Sequence, residues 1–237
     1  MFRPITLSAG IALAATLAAC SPQTGTQQTS GQQGAAAQPA SVVASADNSE
    51  FHQYQITYAA AERQGYGCDA DDGCAARADE MVAEARRHLI AAVNQGDHRA
   101  ADFIATNAVS ATVWHETSAG IIKRADSMLG SHDGSAAVWM MLAGYLTAHG
   151  DYVPRNYDRA TLYYASAWLA GENDASARAA NIYYASNDLV NAYLWSLRCT
   201  DGCSGLDMSR TDLESSLDSP TIKLVQSKAS DRSVLGL

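Results

Sequence analysis

From Asn48 onward, apolar side chains recur at three- and four-residue intervals, and no stretch alternates with the two-residue period of a half-buried strand. Phe51, Tyr54, Tyr58 and Ala61 fall at i, i+3, i+7 and i+10, one stripe of a helix. Met81, Val82, Ala85, Leu89, Ala92 and Val93 form a second stripe, which predicts a helix over 75–95 stopped by Gly96. The pattern predicts an all-α fold, a short α-solenoid of antiparallel helix pairs. A helical hairpin occupies 48–95, a repeat region 96–203 and a helical tail 204–237. In the tail, Thr211 and Glu214 have capping-box spacing, and Ser219-Pro220 opens one more helix with Pro at its first position. Ile222, Leu224 and Val225 are positioned to pack that helix back on the array.

Three segments inside the repeat region share a glycine, a polar turn and a helix entry with spaced alanines. They begin at Gly96, Gly130 and Gly171, and their Ala101, Ala137 and Ala177 are 36 and 40 residues apart. A period of that size in a helical chain means stacked helix pairs. The middle unit, 135–171, carries Leu142, Gly144 and Tyr145, then Gly150, Val153 and Pro154, then Tyr157, Ala160, Tyr164, Ala167 and Gly171. This resembles a Sel1-like repeat, a relative of the tetratricopeptide repeat, with Trp168 where that family has a second alanine. Elementary chemistry points the same way. Gly144, Ala160 and Ala167 let two helix backbones approach, Pro154 prevents helical continuation, and Asn156 caps the next helix. The match is partial over 96–130, which lacks the Val-Pro loop. It is partial again over 171–199, where Ser186-Asn187-Asp188 replaces that loop.

Ahead of the helices the composition changes. Arg3 and the uncharged, largely apolar stretch 5–17 read as an export signal, too short for a membrane span. It ends Leu17-Ala18-Ala19-Cys20, which resembles the lipobox of bacterial lipoproteins. The resemblance implies a signal peptide over 1–19 and acylation of Cys20, and Ser21 after it implies the outer membrane, facing the periplasm. Residues 20–47 are then a lipidated N-terminus and flexible linker: 21–46 contain no charge and are rich in Gln, Ser, Thr, Gly and Ala. Such a linker reaches roughly 28 Å. No apolar run attains the roughly 20 residues that span a bilayer.

Charge narrows the function classes. With 16 Lys and Arg against 25 Asp and Glu, the formal charge is −9, which excludes a nucleic-acid binder held by phosphate contacts. Losing 1–19 removes Arg3 and no acid, so the surface gives no electrostatic reason to lie on anionic lipid.

Four cysteines remain beside Cys20: Cys68, Cys74, Cys199 and Cys203. In an exported chain they predict two disulfides. Asp72-Gly73 and Asp201-Gly202 are turn signals that favour local pairing, Cys68 with Cys74 and Cys199 with Cys203. Spacing alone leaves the crossed connectivities open. It disfavours a zinc knuckle or a redox C-x-x-C. The acidic run 69–72 has Gly one place early for a calcium loop and reads as a solvated turn. His98, His115, His132 and His149 are 17 apart, which rotates successive residues by about 100° on a helix and converges none of them. No nucleophile elbow, phosphate loop or zinc-protease motif is present. The chain is therefore expected to have no catalytic residue, cofactor or metal.

Aromatics carry the remaining signal. Trp114, Trp139, Trp168 and Trp195 occur about once per helix or helix pair, mostly as inter-helix filler. Of the adjacent pairs Tyr163-Tyr164 and Tyr183-Tyr184, one member of each faces the core. Tyr145, Tyr164, Tyr184 and Trp195 are the candidate partner contacts on a solenoid surface. The expected function is non-enzymatic capture of an envelope protein or peptide, as scaffold, adaptor or inhibitor. The alternatives are an immunity lipoprotein against a periplasmic toxin, and an envelope hydrolase or β-lactam-interacting enzyme. Some cysteine-rich relatives of the Sel1-like family are linked to the last of these, but their cysteines recur within each repeat and staple its two helices, a pattern that Cys68, Cys74, Cys199 and Cys203 do not follow.

Overall fold

The computed structural model describes residues 47–68, 72–200 and 203–237. The export signal, Cys20, the linker, the acidic turn at 69–71 and the Asp201-Gly202 turn lie outside the described residues. What is described is all-helical, ten helices packed against one another: α1 (Glu50–Tyr66), α2 (Asp72–Gln95), α3 (His98–Thr106), α4 (Ala111–Ser127), α5 (Gly134–His149), α6 (Tyr157–Leu169), α7 (Asp174–Ala185), α8 (Leu189–Arg198), α9 (Arg210–Ser215) and α10 (Ser219–Ala229).

Helices α1 and α2 form an antiparallel hairpin. Cys68 and Cys74 are disulfide-bonded at its turn, and Glu50 at the start of α1 meets His88 near the end of α2 at 2.6 Å. Helix α2 starts three residues before the predicted Ala75, so the second cysteine of the bridge already lies inside it. Phe51, Tyr54 and Ala61 are buried, whereas Tyr58 is 40% exposed. The first two pack against Phe103 of α3, Phe51 tilted and Tyr54 edge-on. Arg99 ties the same corner together: it bonds Asp47 at 2.6 Å, Ser49 at 2.9 Å and Asp97 at 2.8 Å. The first described residues are thereby fixed to the N-terminus of α3.

Helix α2 packs on α3 and α4, α3 reaches past α4 to α5, each helix from α4 to α8 packs on the next, and α10 returns to α8. Helix α5 is apolar nearly all round, as a helix buried on two sides must be. Trp139, Leu142, Ala143 and Leu146 face the core beneath α1–α4, and Ala136 and Met140 face the one beneath α6–α8. Gly150 (φ 80°) ends it in the left-handed conformation that glycine adopts without strain. Asn156 accepts from the backbone N–H of Arg159 at 2.9 Å and starts α6. Helix α6 ends in the paired backbone bonds of a Schellman motif at Gly171, and α7 ends in the same motif at Asn187 (φ 60°). Ser186-Asn187-Asp188 thus does the work of a longer loop, with Asp188 capping α8. The three period-setting alanines, Ala101, Ala137 and Ala177, are all buried. Ala160 and Ala167 are also fully buried.

The tail departs from expectation in three places. Ser209, not Thr211, caps α9, with a reciprocal contact to Asp212. Asp218, not Ser219, caps α10, which places Pro220 at the second helical position. Of the three apolar residues there, Val225 is buried, Ile222 is half-buried and Leu224 is half exposed. A further feature was not foreseen: residues 229–237 leave α10 and run back over α6 and α8. Arg232 donates to the carbonyls of Trp168 and Leu169, and Leu237 exchanges two hydrogen bonds with Asn191. Arg198 binds the carbonyls of Ala229, Asp231 and Val234. Arg210 donates to the carbonyls of Ser196 and Cys199, closing α8 beside the disulfide between Cys199 and Cys203.

Candidate functional site

A groove of about 370 Å³ crosses the face where α3, α5 and α7 meet, with the first turn of α4 at one side. Its principal walls are Ile104 of α3, Trp114 of α4, Met141 and Tyr145 of α5, Tyr164 of α6 and Arg178 of α7. Helical spacing sets much of this. Met141 and Tyr145 are four residues apart and share one face of α5. His149, four further on, lies 4.2 Å from the Tyr145 ring and turns Nδ1 to the Tyr145 carbonyl at 2.9 Å. Trp114 is half-buried, 5.7 Å from Tyr145 and 6.4 Å from Tyr152. Trp114 therefore packs against both rings, of which Tyr145 lines the groove and Tyr152 does not.

The floor is made by a glycine. A Cβ on Gly144 would meet Cε1, Cζ and Cδ1 of Tyr164 at 2.6–2.9 Å, so the Tyr164 ring lies against the bare backbone of α5. Burial holds its hydroxyl well above the usual phenol range. At one end stands Arg178. It is exposed and makes no hydrogen bond or ion pair with the described residues, and no carboxylate lines the groove. The chemistry on offer is an aromatic and aliphatic slot closed by one uncompensated cation.

Of the four candidate contacts, the structure brings two to this groove. Tyr145 is 40% exposed on its wall, and Tyr164 is 3% exposed in its floor. Tyr184 is exposed, but it lies six residues beyond Arg178, about 120° round α7, and does not line the groove. Trp195 must be withdrawn as a surface contact. It is completely buried, stacked edge-on with Trp168 at 5.4 Å and covered by the Arg198 guanidinium. Nor does the Tyr163-Tyr164 pair divide between core and surface. Both are buried, because α6 is covered on two sides and sends Tyr163 to one core and Tyr164 to the other.

Sequence reasoning missed four of the principal groove residues, Ile104, Trp114, Met141 and Arg178. Trp114 was counted among the filler, and Arg178 was not singled out. The signal for Arg178 was a single cation in the small-residue run Ala175-Ser176-Ala177-Arg178-Ala179-Ala180, and the acid at pairing distance, Asp174, is turned to the Ser204 backbone N–H instead.

Comparisons of the chain with protein-family models, with curated proteins and with solved structures find no match. The groove is therefore read from its own chemistry. The four histidines spaced by 17 do not converge. His98 meets Asp102 of its own helix at 3.2 Å, His132 faces the Leu169 carbonyl, His149 faces that of Tyr145, and His115 is exposed. Among the described residues no group of three His, Cys, Asp or Glu side chains is placed to hold a metal ion.

Proposed function

We propose that this protein is a lipid-anchored interaction module of the bacterial cell envelope, built on Sel1-like helix pairs, that captures a partner protein by a peptide segment. The groove between α3, α5 and α7 carries this reading. Its occupant presents an aromatic or branched aliphatic side chain to Trp114, Tyr145 and Tyr164, with a carboxylate in reach of Arg178. Charge complementarity selects that occupant. Arg178 is uncompensated in a groove without acids, on a chain of formal charge −9 that repels acidic segments elsewhere. Rigid aromatic walls lose little side-chain entropy on binding, which is why such residues concentrate affinity.

Capture of crosslinked envelope partners by the full-length protein is expected to weaken by about 1–3 kcal/mol in Tyr145→Ala. Arg178→Glu should weaken it at least as much, with melting temperature and helicity retained in both variants. Capture that survives both changes removes the groove from the function. A turnover activity abolished by changing one histidine replaces the binding reading with an enzymatic one.

The anchor has its own test. Cys20→Ala should abolish incorporation of labelled fatty acid and move the protein from the membrane fraction to the soluble one. Fatty-acid labelling that persists in Cys20→Ala overturns the lipoprotein reading while leaving the groove untouched.

A further inference from the structure

A second concavity, of about 520 Å³, opens where α4 meets the 150–156 loop and the start of α6. Three cations line it, Lys123 on α4, Arg155 in the loop and Arg159 on α6, against a single carboxylate, Asp126. Asp126 is fully engaged: Oδ2 accepts from Arg159 at 2.5 Å and Oδ1 from the Tyr163 hydroxyl at 2.5 Å. Partial burial pushes its pKa up, but the hydrogen bonds from Arg159 and Tyr163 outweigh this and hold the carboxyl below the usual carboxylate range. Asp126 therefore neutralises Arg159 and nothing more.

The other two cations have no such counterpart. Arg155 donates Nε and one terminal nitrogen to the His149 carbonyl at 3.1 and 2.9 Å, a neutral acceptor that fixes the fork without cancelling its charge. The loop geometry holds it there, since Arg155 Cβ lies 2.8 Å from where a Cβ on Gly150 would stand. Lys123 is exposed and makes no hydrogen bond or ion pair with the described residues. Two uncompensated positive charges thus face one cleft of an acidic chain. The rest of the wall is largely apolar, with Ala119, Ile122, Val153 and Pro154, and low-dielectric walls focus the field of the cations into the cleft.

We propose that this cleft binds a phosphomonoester carried on an apolar body. The dianion matches the surplus of two charges. Arg155 supplies a planar donor fork already oriented by His149, and Lys123 supplies a mobile point charge. The apolar body rests on Ile122, Val153 and Pro154, because a phosphate group alone fills only a small part of 520 Å³. A soluble phosphorylated molecule and a lipid with a terminal phosphate offer the same chemistry.

Titration calorimetry of the full-length protein with hexyl phosphate is expected to show saturable binding that strengthens between pH 5 and pH 7, as the second proton leaves a phosphate with pKa ≈ 6. Inorganic phosphate should bind more weakly, for want of the apolar body. Lys123→Gln and Arg155→Gln should each weaken hexyl phosphate about tenfold, the loss of one hydrogen bond to a charged group. Lys123→Gln is the decisive variant, because Lys123 is exposed and makes no hydrogen bond or ion pair with the described residues. Co-sedimentation of the Cys20→Ala protein, which lacks the acyl anchor, with phosphatidic acid vesicles, lost when Lys123→Gln or Arg155→Gln is added and absent from phosphatidylcholine vesicles, assigns the lipid source. Hexyl phosphate binding without vesicle binding assigns a soluble one. No saturable binding of hexyl phosphate, or binding unchanged in Lys123→Gln, overturns the proposal.

Discussion

Replacing Arg198 with alanine is expected to lower stability by about 3 kcal/mol or more, a fall in melting temperature of roughly 6–12 °C for a folded region of this size. Arg198 is the last residue of α8 and is 5% exposed. Its guanidinium lies 4.6 Å from the Trp195 ring centre and 4.8 Å from that of Trp168. It donates to the carbonyls of Ala229, Asp231 and Val234, so one side chain gathers three carbonyls of the returning tail, which Arg232 and the Leu237–Asn191 pair hold further along. Burial pushes its pKa down, countered in part by the charge of Asp231, yet a guanidinium remains charged at any pH where the protein is folded. A buried cation without a carboxylate partner is costly, and here three carbonyl dipoles and two π-faces offset that cost. Alanine loses all five contacts and leaves three carbonyls short of a donor. Lysine keeps the charge but cannot span three acceptors and two rings, so Arg198→Lys should recover less than half of the loss. Thermal melting followed by circular dichroism checks both variants, and amide exchange over 229–237 locates the effect. Native melting in Arg198→Ala would mean that the tail does not dock on α8.

How much of this was readable beforehand depended on whether the decisive interaction was local. Helix stops were legible because a left-handed C-terminus requires Gly or Asn whatever the surroundings, as at Gly96, Gly150, Gly171 and Asn187. Asn156 was legible as a cap because Pro154 breaks the chain just before it and leaves Asn156 the first capping side chain after the break. The caps of α9 and α10 were not. Ser209 and Thr211 compete in one stretch and Asp218 and Ser219 in the other, and all four can cap. The choice falls to the register that turns Leu213 and Val225 inward, a tertiary fact. The same distinction governs the sites. That tyrosines crowd the middle repeat was plain. Which of them reach a surface depends on α6 being covered on both sides, and no period announces that. Trp195 looked like a surface aromatic because its cover, Arg198 and the returning tail that Arg198 binds as far as Val234, is assembled from residues up to 39 positions further along the chain. Arg155 and Lys123 lie 32 positions apart in sequence and meet only because α4 packs on α5.

Gly144→Leu should test how firmly the groove is tied to the core. Its expected cost is about 1–3 kcal/mol, net of the roughly 1 kcal/mol that leaving glycine would gain in an unobstructed helix. The first added carbon would already stand 2.6 Å from Cε1 of Tyr164, and a leucine demands the volume of the ring's near edge. Tyr164 has nowhere to retreat, being 3% exposed and packed against Ala160, Ala167 and Trp168 in the same core. The ring must therefore tilt into the groove or force α5 and α6 apart. Stability and capture should fall together, which distinguishes this change from Tyr145→Ala, where capture falls alone. Tyr164→Ala removes the obstacle at a cost of about 3–5 kcal/mol for the lost ring. Combined with Gly144→Leu it should cost less than the two changes summed, by about 0.5–3 kcal/mol, because the leucine refills part of the space. Additive costs in that double-mutant cycle would mean that Gly144 and Tyr164 do not touch. The groove floor would then be set by something other than the missing side chain of Gly144.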